Sequence, residues 1–318
     1  MKRIMALMLA LLTLLSLVAC SSDGEEDGGS SIDMSVSNND LVYRPEENPN
    51  EDAFYYEYIN GNEIAITGYA GSHKLHAITI PDAIDERKVT VIHESAFKSA
   101  TNVNAITMPN TVTEIGDMAF YGCTELTTIN MPTALVTIGE AAFSGCIRLT
   151  SVAMPETVTT IGYAAFYNCK SLTTVTLPTA VKTLPKQIFM NCERLKSVTW
   201  SAEGLVIGDS AFMGCTVLES INIPATLTSI GSYAFSGCAA LRSVSIPATV
   251  QAIGCSAFNA CTALEPVTFA DTTNWFVAQD ANAQSRVWKD ISVEDASVNA
   301  ANLTGTYNAF FWKRIVSE

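Results

Sequence analysis

The sequence predicts an α/β repeat solenoid: a stack of short coils sharing one parallel β-sheet, with short helical turns and irregular caps at both ends. Three observations carry this. Phe97, Phe120, Phe143, Phe166, Phe189, Phe212, Phe235 and Phe258 follow one another at intervals of 23 residues, with no insertion or deletion. Cys123, Cys146, Cys169, Cys192, Cys215, Cys238 and Cys261 repeat at the same interval. Each unit also ends in a period-two apolar alternation closed by proline, as in Leu172, Val175, Leu177 and Pro178. A fixed period of this length marks a repeat array, in which each unit hides its apolar side against the next.

The coil at 161–183 shows what each element requires. Leu172 to Leu177 reads as a short strand, and Pro178 ends it because proline donates no ladder hydrogen bond. Equivalent strands of successive coils then lie about 4.8 Å apart and build a parallel sheet on the order of 40 Å wide. Tyr163 to Phe166 is too short for a free helix but long enough for one pinned helical turn. Asp117, Glu140, Asp209 and Ser232 stand at the start of that turn, where an oxygen can accept free amides. Gly122, Gly145, Asn168, Asn191, Gly214 and Gly237 stand just before the cysteine column, where a left-handed residue would close the turn.

The motif Leu-x-x-Val-x-Ile-Pro-x-x-Val-x-x-Ile-Gly-x-x-Ala-Phe-x-x-Cys, kept nearly intact at 221–238 and 244–261, resembles the BspA-like branch of the leucine-rich repeats. The resemblance runs from about 75 to 270 and implies a right-handed leucine-rich-repeat stack. Tyr55 to Tyr58 and Ile64 to Tyr69 look like the family's N-terminal cap, and 76–81 like a divergent first coil. Trp275, Trp288, Tyr307, Phe311 and Trp312 supply aromatics to close the far end. The organisation expected is a lipoprotein signal peptide at 1–20, a disordered acidic tether at 21–50, cap and divergent first coil at 51–91, eight 23-residue repeats at 92–270 and a C-terminal cap at 271–318.

At the N-terminus a basic pair, Lys2 and Arg3, precedes an apolar run from Ile4 to Leu17 that is short for a membrane span. Leu17-Val18-Ala19-Cys20 looks like a bacterial lipobox, which implies lipidation of Cys20 and a membrane contact through that lipid alone. Residues 21–64 hold twelve Asp or Glu against one base, Arg44. Ser22-Asp23-Gly24-Glu25-Glu26-Asp27 also resembles the acidic tag of surface-exported lipoproteins, so a surface-exposed lipoprotein of a Gram-negative outer membrane is expected. A net charge of −14 argues against nucleic acid, whose phosphates call for clustered bases.

The cysteine column reads as buried thiols. Equivalent residues of adjacent coils carry parallel side-chain vectors, which suit no disulfide, and no Cys-x-x-Cys or nearby histidine suggests a metal site. Cys255 stands outside the column and is expected to be exposed and free, the one candidate reactive thiol. His73, His76 and His93 all fall in the cap or first coil, beside no nucleophile. No carboxylate pair is forced together for acid–base work, so neither catalysis nor a cofactor nor a metal is expected.

The outward strand positions form two uncharged columns. One includes Thr128, Ser151, Thr174, Ser197, Ser220 and Ser243, and the other Asn130, Ala153, Thr176, Thr199, Asn222 and Ser245. Threonine fits any half-exposed strand, and the same columns make a flat hydrogen-bonding platform. The coil at 184–206 departs from the pattern at Pro185, Ile188, Trp200 and Ser201, and Lys182, Lys186, Arg194 and Lys196 concentrate around it. Trp200 falls on an inward column, so it is expected to fill core, and the bases read as a solvated face or as the place where a charged partner docks. The resemblance implies a monomeric cell-surface protein that binds an extracellular protein, such as a host matrix or plasma protein, in adhesion. A glycan-capture role and a surface protein without a tight ligand are the alternatives.

Overall fold

The computed structural model describes residues 41–43, 53–71, 76–200, 206–279 and 289–315. The chain winds into about nine coils, and residues 23 apart stand above one another throughout the repeats. Each coil has three faces. The first carries the strand expected from the period-two alternation. Val152, Val175 and Val198 point inward and are buried, while their neighbours on either side are exposed. Ser151, Thr174 and Ser197 stand in register as parallel partners, as do Ala153, Thr176 and Thr199.

The second face was not anticipated. Two-residue strands such as Glu114–Ile115, Thr137–Ile138 and Thr160–Ile161 form a second parallel ladder. The molecule is therefore built on two faces of parallel strands rather than one sheet, because each coil has a second inward apolar pair, as at Val158 and Ile161. The glycine after this pair packs against backbone of the previous coil. A Cβ on Gly162 would lie 2.5 Å from Glu140 N, and one on Gly139 2.6 Å from Asp117 N.

The third face corrects the expected helical turn. It contains no helix. Alternate amides leave the coil: Met118, Phe120 and Gly122 donate to the carbonyls of Glu140, Ala142 and Ser144 of the next coil, at 2.7 to 2.8 Å. The amides between them turn back, Tyr121 to Met118 O and Cys123 to Phe120 O. Two left-handed residues per coil make this alternation. Gly122, Gly145, Gly214, Gly237, Asn168 and Asn191 are left-handed, as the sequence predicts. The second such position, held by Met118, Ala141, Ala164, Gln187, Ser210 and Tyr233, has φ of 48° to 58° and no glycine to announce it. Non-glycine residues there accept a local cost, offset by inter-coil bonds that a helix would forfeit.

The phenylalanines fill the core as one stack, with centroids 5.2 Å apart from Phe97 to Phe166 and interplanar angles of 5° to 19°. At the N-terminal end, Phe54–Ile59 and Glu63–Tyr69 form an antiparallel hairpin around Asn60 and Gly61, both left-handed. Its Tyr69 ring stacks on Phe97 at 5.4 Å. At the other end Phe311–Arg314 pairs antiparallel with Ala252–Ile253 and closes the second face. Trp275 and Trp312 are buried there, and Phe269 lies 4.9 Å and 6.2 Å from them. The only α-helix among the described residues, Ala296–Ala301, belongs to this cap, capped by Asp295.

Candidate binding surface

The first face presents the two predicted columns to solvent, but their members differ in what they are free to do. Thr128, Thr174, Thr176, Ser197 and Thr199 are exposed strand residues. Ser220 and Asn222 are exposed but lie outside any strand, because the first-face ladder stops after Ser197–Thr199 and resumes at Val244–Ile246. Ser243 and Ser245 are exposed, and Ser245 Oγ accepts from Thr268 Oγ1 at 3.1 Å. Asn130 is committed to the scaffold: its Oδ1 accepts from Met108 N at 2.6 Å and its Nδ2 donates to Met108 O at 2.8 Å. It replaces a ladder step with side-chain bonds and is not a free recognition group.

The basic concentration of the sequence is dispersed in space. Lys186 stands at the turn start, paired with Asp209 at 3.2 Å, and borders a second-face cavity of about 350 Å³ shared with Trp312 and Lys313. Arg194 and Lys196 are exposed beside the first-face strand, and Lys182 stands next to the second-face strand Thr183–Leu184. Lys196 also belongs to a 23-residue column that continues as Glu219, Arg242 and Glu265, so charge alternates along it. Glu125 and Arg148 pair across coils at 2.5 Å and Lys170 and Glu193 at 2.8 Å. The repeat spacing makes all these pairs readable once charges are tabulated by column.

The turn-start carboxylates also act between coils. Asp117 Oδ1 accepts from Glu140 N at 2.6 Å and Asp209 Oδ1 from Ser232 N at 2.8 Å, so each bonds the next coil rather than its own turn. The seven column cysteines are free and buried. Each thiol donates to a phenylalanine carbonyl of the coil before, as from Cys169 Sγ to Phe143 O at 3.1 Å. Burial pushes the thiols of Cys146, Cys169, Cys215 and Cys238 well up, and those of Cys192 and Cys261 up to about 12. Cys255 corrects the expectation of an exposed free thiol: it is fully buried, at a turn that the C-terminal cap covers, and it is not free. Trp200 is buried, 6.1 Å from the Phe212 ring, and fills core as expected.

The cap carries a polar cluster that sequence reading passed over. Tyr56 and Tyr58 both donate to Asp85 Oδ2, at 3.0 and 2.8 Å, and Arg87 lies over the Tyr58 ring at 4.6 Å. The two hydroxyls hold the Asp85 carboxyl below its usual range. His93 lies 3.7 Å from Glu57, and Tyr69 Oη lies 2.8 Å from His76 Nε2. A second cavity, about 450 Å³, opens beside Tyr69, Lys98, Asn102 and Glu125. Cys20, residues 21–40 and 44–50 of the acidic tether, His73, Ser201 and Trp288 lie outside the described residues, while Leu41–Tyr43, inside the expected tether, is a strand paired antiparallel with Phe54–Tyr56 of the cap. Among the described residues no helix is long and apolar enough to cross a membrane.

A solenoid of equal coils with an exposed, uncharged β-face defines a repeat protein of the leucine-rich class. The family model for the BspA type leucine rich repeat region matches residues 62–196 and 182–280, in six copies, and the chain belongs to this family of bacterial surface leucine-rich-repeat proteins. A leucine rich cell surface protein from Faecalibacterium prausnitzii is 29% identical, with a TM-score of 0.54 over 78% of this chain. The match spans 60% of that protein, so this chain corresponds to part of its length. A leucine-rich repeat protein from Bacteroides ovatus is 25% identical, with a TM-score of 0.52 over 69% of this chain and 70% of that one. No curated protein matches.

Proposed function

We propose that this chain is a non-catalytic surface lipoprotein, anchored through lipid on Cys20, that binds an extracellular protein through its first face in adhesion or host interaction. The observation that carries the reading is the run of exposed Thr174, Thr176, Ser197 and Thr199, held in register by the parallel ladder. A rigid platform of hydroxyls offers donors and acceptors with little ordering cost on binding, which favours an extended polypeptide laid across the coils. The description of the Faecalibacterium relative as a cell surface protein supports display outside the cell. The alternating charge columns beside the face leave no net basic patch, which supports a protein rather than a polyanion as partner.

The test is a panel of immobilised matrix and plasma proteins run beside a glycan array, with mature protein as analyte. Saturable binding to a protein and silence on the glycans is expected. Saturable binding to glycans alone would overturn the reading. Cys20 is tested separately by metabolic labelling with a palmitate analogue, where label lost on Cys20→Ala is expected and an unlabelled parent would refute the anchor.

A further inference from the structure

At one place the second-face ladder is cut. In the other coils the residue after the inward pair donates to the previous coil: Gly116 to Ile92 O, Gly139 to Ile115 O, Gly162 to Ile138 O, Gly208 to Leu184 O, Gly231 to Ile207 O and Gly254 to Ile230 O, at 2.7 to 2.9 Å. The equivalent residue at 185 is proline, which has no amide hydrogen, so Ile161 O goes without this bond. The second face accordingly splits into two sheets, one ending at Thr160–Ile161 and the next starting at Thr183–Leu184.

Bulk acts in the same direction. A Cβ on the neighbouring glycines would fall 2.2 to 2.7 Å from the nearest backbone atom of the previous coil. Pro185 carries that Cβ where every other position of the column from 116 to 254 is glycine, and its coil stands off; His93, which also carries one, faces the cap hairpin and still donates to Ile66 O at 2.8 Å. The Phe166–Phe189 centroids are 5.8 Å apart, against 5.2 Å in the coils before, and the spacing relaxes through 5.6 Å at Phe189–Phe212 to 5.3 Å beyond. The third-face bonds from Ala164 N to Lys186 O and from Phe166 N to Ile188 O lengthen to 3.1 and 3.0 Å, against 2.8 Å from Ala141 and Phe143, while Asn168 N to Met190 O stays at 2.8 Å. On the first face the ladder stays closed, with Thr174 opposite Ser197 and Thr176 opposite Thr199.

We propose that Pro185 makes a joint in the solenoid, hinged on the first face and open on the second. It divides the second face into two blocks that meet at 161–185. Opening on the second-face side bends the stack about the line of Thr174–Thr176 and changes the curvature of the first face there.

Amide hydrogen exchange followed by NMR on the folded chain tests this. Ala164 and Phe166 are expected to exchange at least about tenfold faster than Ala141 and Phe143, whose inter-coil bonds are otherwise equivalent. Pro185→Gly supplies the donor and removes the bulk, and should bring the two pairs to within about threefold. Pro185→Ala supplies the donor but keeps the Cβ, and should leave the fast exchange in place. Equal rates in the unaltered chain, or an unchanged difference in Pro185→Gly, would overturn the joint. Closure by Pro185→Ala would overturn the part assigned to bulk.

Discussion

Gly162 has an ordinary φ, so a substitution there tests close packing rather than backbone freedom. Its missing Cβ makes room for Glu140 N and Gly139 C, each 2.5 Å from where that atom would be. Gly162→Ala should lower stability by about 1 to 3 kcal/mol, the usual cost of overpacking, read from the urea midpoint. Phe143→Ala should cost about 3 to 5 kcal/mol, since the ring is fully buried and stacked on both sides. The cysteine column ties stability to pH. The folded thiols of Cys192 and Cys261 titrate at about 12, above the ordinary value of 9.0, because burial penalises the thiolate. The unfolded chain therefore loses protons first. The contribution is complete below about pH 9 and falls as pH rises toward 12, so the urea midpoint should drop between pH 8 and pH 10.5. A midpoint that rose would refute the buried-thiol assignment. The phenylalanine and cysteine columns were legible because their chemistry is invariant from coil to coil. The fate of Cys255 was not, because its cover comes from a cap with no repeat to read.

At the scale of elements, the first-face strand was legible from its alternation over several residues. The second-face strand was not, because two residues cannot display a period. The third face was misread as helical because Ala-Phe in a glycine-bounded turn fits a helical turn equally well, and only the inter-coil bonds of Met118, Phe120 and Gly122 separate the two. Asn130 shows the same limit. Its column identifies an exposed polar residue, while the structure commits both side-chain atoms to Met108. Asn130→Ala should thus lower stability by about 1 to 3 kcal/mol, the cost of stranding partly buried backbone groups, and should not act through contact with a partner. Unchanged thermal unfolding in that variant would contradict this assignment.

For the whole molecule, the repeat spacing makes a scaffold whose faces can be altered one at a time. Distant outward positions share no packing, so their effects should add. The family assignment supports a surface protein, and the first face offers many hydroxyls in fixed register, none of which the core needs. The sequence named that face but could not separate free groups from committed ones. The most direct test compares two triple variants for equilibrium binding to the partner found in the panel. Thr174→Arg with Thr176→Arg and Ser197→Arg alters the first face. Thr137→Arg with Thr160→Arg and Thr183→Arg alters the second. Binding at least about tenfold weaker for the first variant, a loss of about 1.4 kcal/mol or more, and unchanged for the second is expected. Loss in the second variant with full binding in the first would contradict binding through the first face.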